Sequence, residues 1–157
     1  MKMPEQIDTI MFAPCGMNCK LCIKHLSQNN PCPGRLIDSP NKTKNALKCK
    51  IKKCLETKRV KYCGRCSEFP CKLMKKQDKN YKKRYDFSTL DNAKRITYTG
   101  INKIMLEDKL NWECESCGGI ISIQEHTCSE CGLKKDTWRV LLLLWKVYIK
   151  SQQKIIN

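Results

Sequence analysis

The sequence predicts a small, metal-stabilised α+β protein in which bound ions replace part of a hydrophobic core. Thirteen of its 157 residues are cysteines, and nine of these lie between Cys15 and Cys71. That stretch is too polar to fold by apolar packing alone. Two Cys-x-x-Cys-Gly motifs near the carboxyl end are typical of a structural zinc site. We predict an irregular, mostly helical cysteine-rich domain (1–85), a helical connector (86–111), a zinc-ribbon hairpin (112–133) and a C-terminal amphipathic helix (134–157).

Cysteine usage and charge bear on the compartment and the partner. The residues before Cys15 include no apolar run like that of a secretory signal peptide. We therefore expect a cytoplasmic protein, where closely spaced cysteines hold metal more often than they form disulfides. The formal net charge of +16 favours a polyanionic partner.

The N-terminal domain contains nine candidate metal ligands, whose grouping the sequence leaves open. They are Cys15, Cys19, Cys22, Cys32, Cys49, Cys54, Cys63, Cys66 and Cys71. Both zinc and iron–sulfur clusters are candidates here, because thiolates ligate either. His25 is a further candidate, although a histidine beside a cysteine knuckle is more often a neighbour of the metal site than a ligand.

Two of these motifs also permit enzymatic interpretations. Residues 15–22 have the Cys-x3-Cys-x2-Cys spacing of radical S-adenosylmethionine enzymes, but Leu21 replaces the usual aromatic residue and no βα alternation is present. Residues 63–66 have the spacing of a redox dithiol, but no βαβ pattern surrounds them to acidify the first thiol. We therefore favour metal binding at both motifs.

The ordered cysteine motifs together resemble a known family. The motifs are Cys15-Gly16-x-x-Cys19-x-x-Cys22, Cys32-Pro-Gly, Cys49-x-Ile51-x-x-Cys54 and Cys63-x-x-Cys66-x-x-Phe69-Pro70-Cys71. This set resembles the cysteine-rich domain of unknown function 3795 (DUF3795) over residues 12–75, and residues 84–90 look like the extension of members that end in a zinc ribbon. The resemblance implies metal binding and no established activity. Arg35 stands where the family pattern usually has a cysteine, which implies that one site has lost a ligand.

A run of basic residues after Cys71 is the candidate nucleic-acid surface. The residues of this run are Lys75, Lys76, Lys79, Tyr81, Lys82, Lys83 and Arg84. The bases could follow a phosphate backbone, and the tyrosine could stack on an unpaired base. The alternative is a solvated helix face or linker, which lysine-rich segments form more often.

A helix pair is predicted to connect the two cysteine-rich parts. Ser88 and Asp91 have the spacing of a capping box, so a helix should begin near Thr89 and end at Gly100. A second helix should then lead to Trp112. Both helices are expected to be structural, because they carry no paired polar residues that indicate catalysis.

The most specific pattern is formed by two Cys-x-x-Cys-Gly knuckles, whose ligands are Cys114, Cys117, Cys128 and Cys131. The isoleucines between the knuckles suit a short hairpin. Such a set holds structural zinc or, as an alternative, a rubredoxin-type iron. Four protein ligands leave no open coordination position, so catalysis at this metal is not expected.

The tail is apolar over Trp138–Ile149, which is too short to span a bilayer, so we expect no transmembrane segment. Its apolar face is predicted to pack on the ribbon or the helix pair. A homodimer contact and a helix lying on a membrane surface are the alternatives.

These observations predict a non-catalytic zinc-binding protein that serves as an interaction module for protein or nucleic acid. The sequence has no recognisable nucleophile, carboxylate pair or phosphate-binding loop. The alternative is an iron–sulfur redox protein or enzyme that uses the N-terminal cysteines.

Overall fold

The computed structural model describes residues 1–135. The predicted C-terminal helix over residues 134–157, with its possible dimer contact, lies almost entirely outside the described residues. The helices are α1 (Ile23–Leu26), α2 (Lys44–Leu47), α3 (Lys50–Lys58), α4 (Lys72–Tyr85), α5 (Thr89–Tyr98) and α6 (Ile101–Trp112). Single 3₁₀ turns are formed by Thr9–Met11, Cys19–Leu21 and Cys63–Arg65.

Over this part of the chain the protein is small and mostly helical, as predicted, and its extended segments pair only through isolated antiparallel bridges. None of the helices in residues 1–135 has the length and apolar character needed to cross a membrane. The basic run that follows Cys71 is a regular helix, α4, rather than a linker.

Helix α5 is the surface on which two Cys-Gly pairs, Cys15-Gly16 and Cys63-Gly64, pack. A Cβ atom added to Gly16 would lie 2.5 Å from the Thr89 carbonyl oxygen, and one added to Gly64 would overlap with the carbonyl of Ala93. Only glycine lets the backbone approach this closely. The turns that present Cys15 and Cys63 are therefore positioned by the same helix.

The junction between α4 and α5 depends on one buried carboxylate. Asp78 accepts hydrogen bonds from the Leu90 amide and the Ser88 hydroxyl, both at 2.9 Å. Ser88 in turn accepts the Asp91 amide at 3.0 Å, so α5 begins where the capping pattern predicts. Gly100, at φ +81°, separates α5 from α6.

A buried polar network joins α5 and α6 to the first cysteine turn. Asn18, fully buried, donates to Asp108 at 3.0 Å, and Arg95 lies 3.5 Å from the other oxygen of the same carboxylate. Burial raises the pKa of Asp108, although Asn18 and Arg95 oppose the shift. The network satisfies polar groups that would otherwise be costly to bury.

One hydrophobic cluster extends from the N-terminal segment to residues 112–133, which we call the ribbon region. Its largest fully buried members are Phe12, Leu21, Met74, Ile96, Ile104, Ile120 and Ile123. Ile120 and Ile123 come from between the two Cys-x-x-Cys-Gly motifs, so the ribbon region shares a core with the helices.

The segment between the two knuckles differs from the predicted zinc-ribbon hairpin, because residues 112–135 form no regular strand. They pair through isolated bridges at Glu113–Ile120, Ile121–Cys128 and Thr127–Lys134. The physical reason is that backbone amides of this segment donate to carbonyls outside it instead of to a neighbouring strand. Ile120 donates to the Met1 carbonyl at 3.0 Å and Ile123 to the Leu21 carbonyl at 3.0 Å, so neither continues a two-stranded ladder.

Candidate metal centre

The cysteines of the two Cys-x-x-Cys-Gly motifs meet in space. The sulfur atoms of Cys114, Cys117, Cys128 and Cys131 all lie within 4.8 Å of one another. Cys114 and Cys131 are 3.8 Å apart at sulfur, and Cys117 and Cys128 are 3.6 Å apart. These separations are longer than the S–S bond of a disulfide, and they suit four sulfurs around one ion. We name this group the ribbon cluster.

Each half of the ribbon cluster is a tight turn that needs glycine. Gly118 and Gly132 follow the second cysteine of each knuckle and have φ values of +68° and +73°. Their amides donate to the carbonyls of Cys114 and Cys128, at 2.7 and 3.1 Å. Side chains rarely adopt this left-handed backbone, which explains the glycine after each Cys-x-x-Cys pair.

Gly119 fulfils a different requirement, which the sequence pattern alone did not indicate. A Cβ atom at this position would lie only 2.7 Å from the sulfur of Cys128. The second glycine of the first knuckle thus gives the opposite knuckle room to approach. Its signal in the sequence is the double glycine Gly118-Gly119, of which the turn itself requires only the first.

The extreme N-terminus closes over the ribbon cluster, a contact that no motif in the sequence predicts. Met3 donates its amide to the Gly118 carbonyl at 2.9 Å, and the Lys2 ammonium donates to the Cys117 carbonyl at 2.5 Å. The terminal ammonium of Met1 forms an ion pair with Glu130. Residues 1–3 therefore cover one side of the first knuckle.

The thiols of the ribbon cluster affect one another's ionisation. Burial by itself favours the neutral Cys128 thiol, but hydrogen bonds from the Cys131 amide and neighbouring thiols outweigh it and lower the pKa of Cys128. At Cys131 the Leu133 amide lowers the pKa, whereas hydrogen bonding with Cys117 raises it, and the net result is a pKa raised to about 11. Four thiolates at these distances repel one another unless a cation lies among them. The donor set therefore fits a metal ion.

Seven of the nine N-terminal cysteines fall into two neighbourhoods. Four of them line one cavity of about 20 Å³, namely Cys54, Cys63, Cys66 and Cys71. Burial raises the pKa of Cys63, and the adjacent thiols, Cys15 foremost, raise it further. A redox dithiol needs an acidified first thiol, so this shift argues against that interpretation of the motif over residues 63–66.

The second neighbourhood surrounds a larger cavity of about 200 Å³, to which Cys19, Cys22 and Cys32 contribute. Arg35 also lines this cavity, and its amide donates to the Cys19 sulfur at 3.4 Å. Its side chain donates to the Asn45 carbonyl at 2.8 Å. Burial raises the pKa of Cys19 to about 12, which keeps that thiol neutral at physiological pH.

Cys15 and Cys49 belong to neither cavity lining. Cys15 is buried, and burial raises its pKa, opposed chiefly by hydrogen bonding with Gln77. Cys49 lies just outside α3, the helix that carries Cys54. It is the N-cap of α3, and its sulfur accepts the Lys52 amide at 3.4 Å. A sulfur in the capping position replaces the usual hydroxyl or carboxylate.

Both histidines form hydrogen bonds through their rings, and His25 also lines the cavity of Cys19, Cys22 and Cys32. His25 Nδ1 lies 2.7 Å from the Cys32 carbonyl, and its Nε2 lies 3.4 Å from the Lys20 ammonium. Burial lowers the pKa of His25, so its neutral form is favoured. His126 Nε2 donates to the Tyr85 carbonyl at 3.1 Å and links the ribbon region to α4.

The basic run lies on α4 and is divided between two faces. Six side chains of the run are exposed, those of Lys75, Lys76, Lys79, Lys82, Lys83 and Arg84. Tyr81 instead packs against the hydrophobic cluster, with its ring centroid 5.3 Å from that of Tyr85. The tyrosine is therefore not available for stacking beside the exposed bases.

Comparison with known proteins supports the resemblance of the N-terminal part. The model of a family described as "Protein of unknown function (DUF3795)" matches residues 11–76, a segment that includes both cysteine neighbourhoods and ends before the ribbon cluster. No curated protein and no solved structure matches the chain.

Proposed function

We propose that this protein is a zinc-binding interaction module whose ribbon cluster holds one structural zinc ion. The observation that carries the proposal is the convergence of four sulfurs within 4.8 Å. An all-thiolate set of four prefers a soft tetrahedral ion such as zinc. All four positions would be filled by protein, so the ion would stabilise structure rather than bind substrate.

The zinc would fix the surroundings of the ribbon cluster in a defined arrangement. The first knuckle is tied to residues 1–3 and to α6 through the Ile121 amide, which donates to the Trp112 carbonyl at 2.9 Å. Zinc would therefore order both ends of the described chain. Metal analysis tests this point: C128S/C131S should lose one equivalent of zinc, and C22S/C32S should keep it. Equal zinc content in C128S/C131S and the wild-type protein would refute the assignment.

We propose further that the exposed face of α4 binds a polyanion and that nucleic acid is the favoured one. Support comes from seven exposed bases, Lys72 and the six named above, on a 14-residue helix whose single acid, Asp78, is buried. Lys82 lies 3.2 Å from that carboxylate and is partly neutralised by it. The others lie on a rigid helix, so their charges stay close together. Such an arrangement attracts phosphates with a strong dependence on salt.

Charge reversal on α4 tests the nucleic-acid proposal. The variant K75E/K76E/K79E should bind a fluorescently labelled single-stranded oligonucleotide at least about tenfold more weakly than the wild-type protein, with a smaller salt dependence. The matched control is K44E/K50E/K103E, which makes the same charge change at exposed lysines of α2, α3 and α6.

The control variant distinguishes binding by the surface of α4 from attraction by the net charge of the protein. An equal loss in both variants would mean that only net charge matters, and the assignment to α4 would fail. Binding that is absent at low salt would remove the nucleic-acid proposal. Poly-glutamate that competes as well as DNA of equal length would favour an acidic protein partner instead.

A further inference from the structure

We propose that Cys54, Cys63, Cys66 and Cys71 hold an iron–sulfur cluster in the cavity of about 20 Å³ that they line. We call these four residues the N-terminal cysteine set. The proposal is independent of the ribbon cluster, because it concerns different residues and a different cofactor.

The N-terminal cysteine set comes from three elements that meet around the cavity. Cys54 lies within α3, Cys63 begins the 3₁₀ turn and Cys66 ends it. Cys71 is the N-cap of α4, and its side chain makes no capping hydrogen bond. Its sulfur is therefore not committed to its own helix.

The turn that carries the central pair is held rigidly. The Cys66 amide donates to the Cys63 carbonyl at 2.9 Å, and the Phe69 amide donates to the Cys66 carbonyl at 3.0 Å. Gly64 packs directly on the backbone of α5. This frame fixes the positions of two ligands, and preorganisation of this kind is what a metal site needs.

The sulfurs of the N-terminal cysteine set are spaced too widely to share a single zinc ion. Four thiolates that bind one tetrahedral zinc ion at about 2.3 Å lie about 3.8 Å from one another. Among residues 1–135, the ribbon cluster alone brings three or more potential ligand atoms within 4.8 Å of one another, so the N-terminal cysteine set is more widely spaced.

An iron–sulfur cluster fits the wider spacing of these four sulfurs. Each iron binds one cysteine, while iron and sulfide atoms fill the space between the four protein sulfurs. Four cysteines are the usual ligand set of such clusters. The ribbon cluster would hold one ion at its centre, whereas the N-terminal cysteine set would surround several atoms.

The surroundings of the cavity also suit a cluster. Apolar side chains make up most of the remaining wall, namely those of Ile51, Leu55, Phe69, Leu73 and Met74. They would limit access of water and oxidants, which protects iron–sulfur clusters and tunes their potential. Lys58 and Glu68 also line the cavity, where they form an ion pair with each other.

Anaerobic reconstitution of the full chain with ferrous iron and sulfide tests the proposal. The wild-type protein should turn brown, absorb near about 400 nm and contain iron and acid-labile sulfide in equal amounts. C63S/C66S should lose iron, sulfide and colour. The control C22S/C32S also removes two cysteines, but from the other cavity, and should keep all three signals.

Two further measurements guard against simple misfolding. C71S places serine at an N-cap, where it is a preferred residue, so α4 should remain folded while the cluster becomes less stable or changes its spectrum. Zinc in the ribbon cluster serves as an internal measure, since C63S/C66S should retain it. C128S/C131S should show the reverse pattern, with iron retained and zinc lost.

The outcomes separate this proposal from the zinc proposal. A colourless wild-type protein, or one whose second metal is zinc and leaves in C63S/C66S, would overturn the cluster while leaving the ribbon zinc intact. Full cluster content in both C71S and C63S/C66S would overturn it as well. A loss of iron in C22S/C32S equal to that in C63S/C66S would place the cluster elsewhere and refute the ligand assignment.

Discussion

At the scale of single residues, the cysteines differ in what their sulfur atoms contact. The sulfur of Cys49 caps a helix, that of Cys19 accepts the Arg35 amide, and that of Cys22 accepts the Gln124 side chain at 3.4 Å. The four sulfurs of the ribbon cluster instead face one another. Neighbouring glycines contribute to this difference, because a Cβ atom at Gly119 would crowd the Cys128 sulfur.

Gly119→Ala should weaken metal binding at the ribbon cluster. The added Cβ would lie 2.7 Å from the Cys128 sulfur and force that ligand away from the other three. We expect zinc affinity to fall by about tenfold or more, the effect typical of disturbing the neighbours of metal ligands. Competition with a chromophoric chelator measures it.

The control for this change is Ser116→Ala, which alters an exposed residue of the same knuckle. It should leave the affinity unchanged. Wild-type affinity in Gly119→Ala would show that the two knuckles can separate without cost, and the packing argument for this glycine would then be wrong.

At the scale of elements, α5 organises the helical part of the molecule. It receives the Cys15-Gly16 turn and the Cys63-Gly64 turn on its backbone, and its own N-terminus is capped from α4 by Asp78. The packing of α4 and α5 therefore bears on the position of the N-terminal cysteine set, to which Cys63 and Cys71 belong.

Asp78 should give the junction of α4 and α5 a characteristic dependence on pH. Burial alone would raise its pKa, but hydrogen bonds from the Leu90 amide and the Ser88 hydroxyl, together with Lys82, outweigh burial and lower the pKa. A carboxyl whose pKa is lower in the folded state stabilises the fold fully above its unfolded pKa of about 3.9. That contribution is lost as the pH falls through the folded pKa.

We therefore expect Asp78→Asn to lower the free energy of unfolding at pH 7 by about 1–3 kcal/mol, with the difference from wild type shrinking below about pH 4. Urea unfolding over a pH series measures this. Asp86→Asn, at the exposed C-cap of the same helix, is the control and should change stability little at any pH. A deficit in Asp78→Asn that is independent of pH would contradict the ionic mechanism.

At the scale of the whole molecule, sulfur sites and an apolar core act together. The hydrophobic cluster joins Phe12 of the N-terminal segment, Ile96 of α5, Ile104 of α6 and Ile120 of the ribbon region. A second, small cluster at the ribbon contains Cys114, Ile121 and Cys128. The ribbon end has so little apolar packing of its own that it should depend on its metal more than the helices do.

Removal of metal should therefore act unevenly. A strong chelator should lower the melting temperature and abolish protection of the Ile121 and Cys128 amides from hydrogen exchange, because structural zinc contributes about 10–16 kcal/mol in small zinc modules. Amides of α5 should keep part of their protection. Added zinc should restore the lost signals.

Two outcomes would contradict the proposed role of metal in the fold. A chelated protein with an unchanged melting temperature and unchanged exchange at the ribbon would show that apolar packing alone maintains the fold. Disulfides found among the ribbon sulfurs would also contradict the metal assignment, since both require the same atoms.

The sequence by itself determined the features that depend on local spacing. Two Cys-x-x-Cys-Gly motifs predicted which four sulfurs would meet, and the capping pattern at Ser88 predicted where α5 would begin, because both signals act within a few residues. The mostly helical character and the N-terminal family resemblance were predictable for the same reason.

Only the tertiary structure decided how distant segments combine. It placed seven of the nine N-terminal cysteines around two cavities, turned Tyr81 inward from the basic face of α4 and laid residues 1–3 across the first knuckle. It also replaced the expected hairpin with isolated bridges, because Ile120 and Ile123 donate to Met1 and Leu21 instead. These hydrogen bonds join residues about 100 positions apart. Every backbone amide needs a partner, but the local sequence pattern does not indicate which distant carbonyl will provide it.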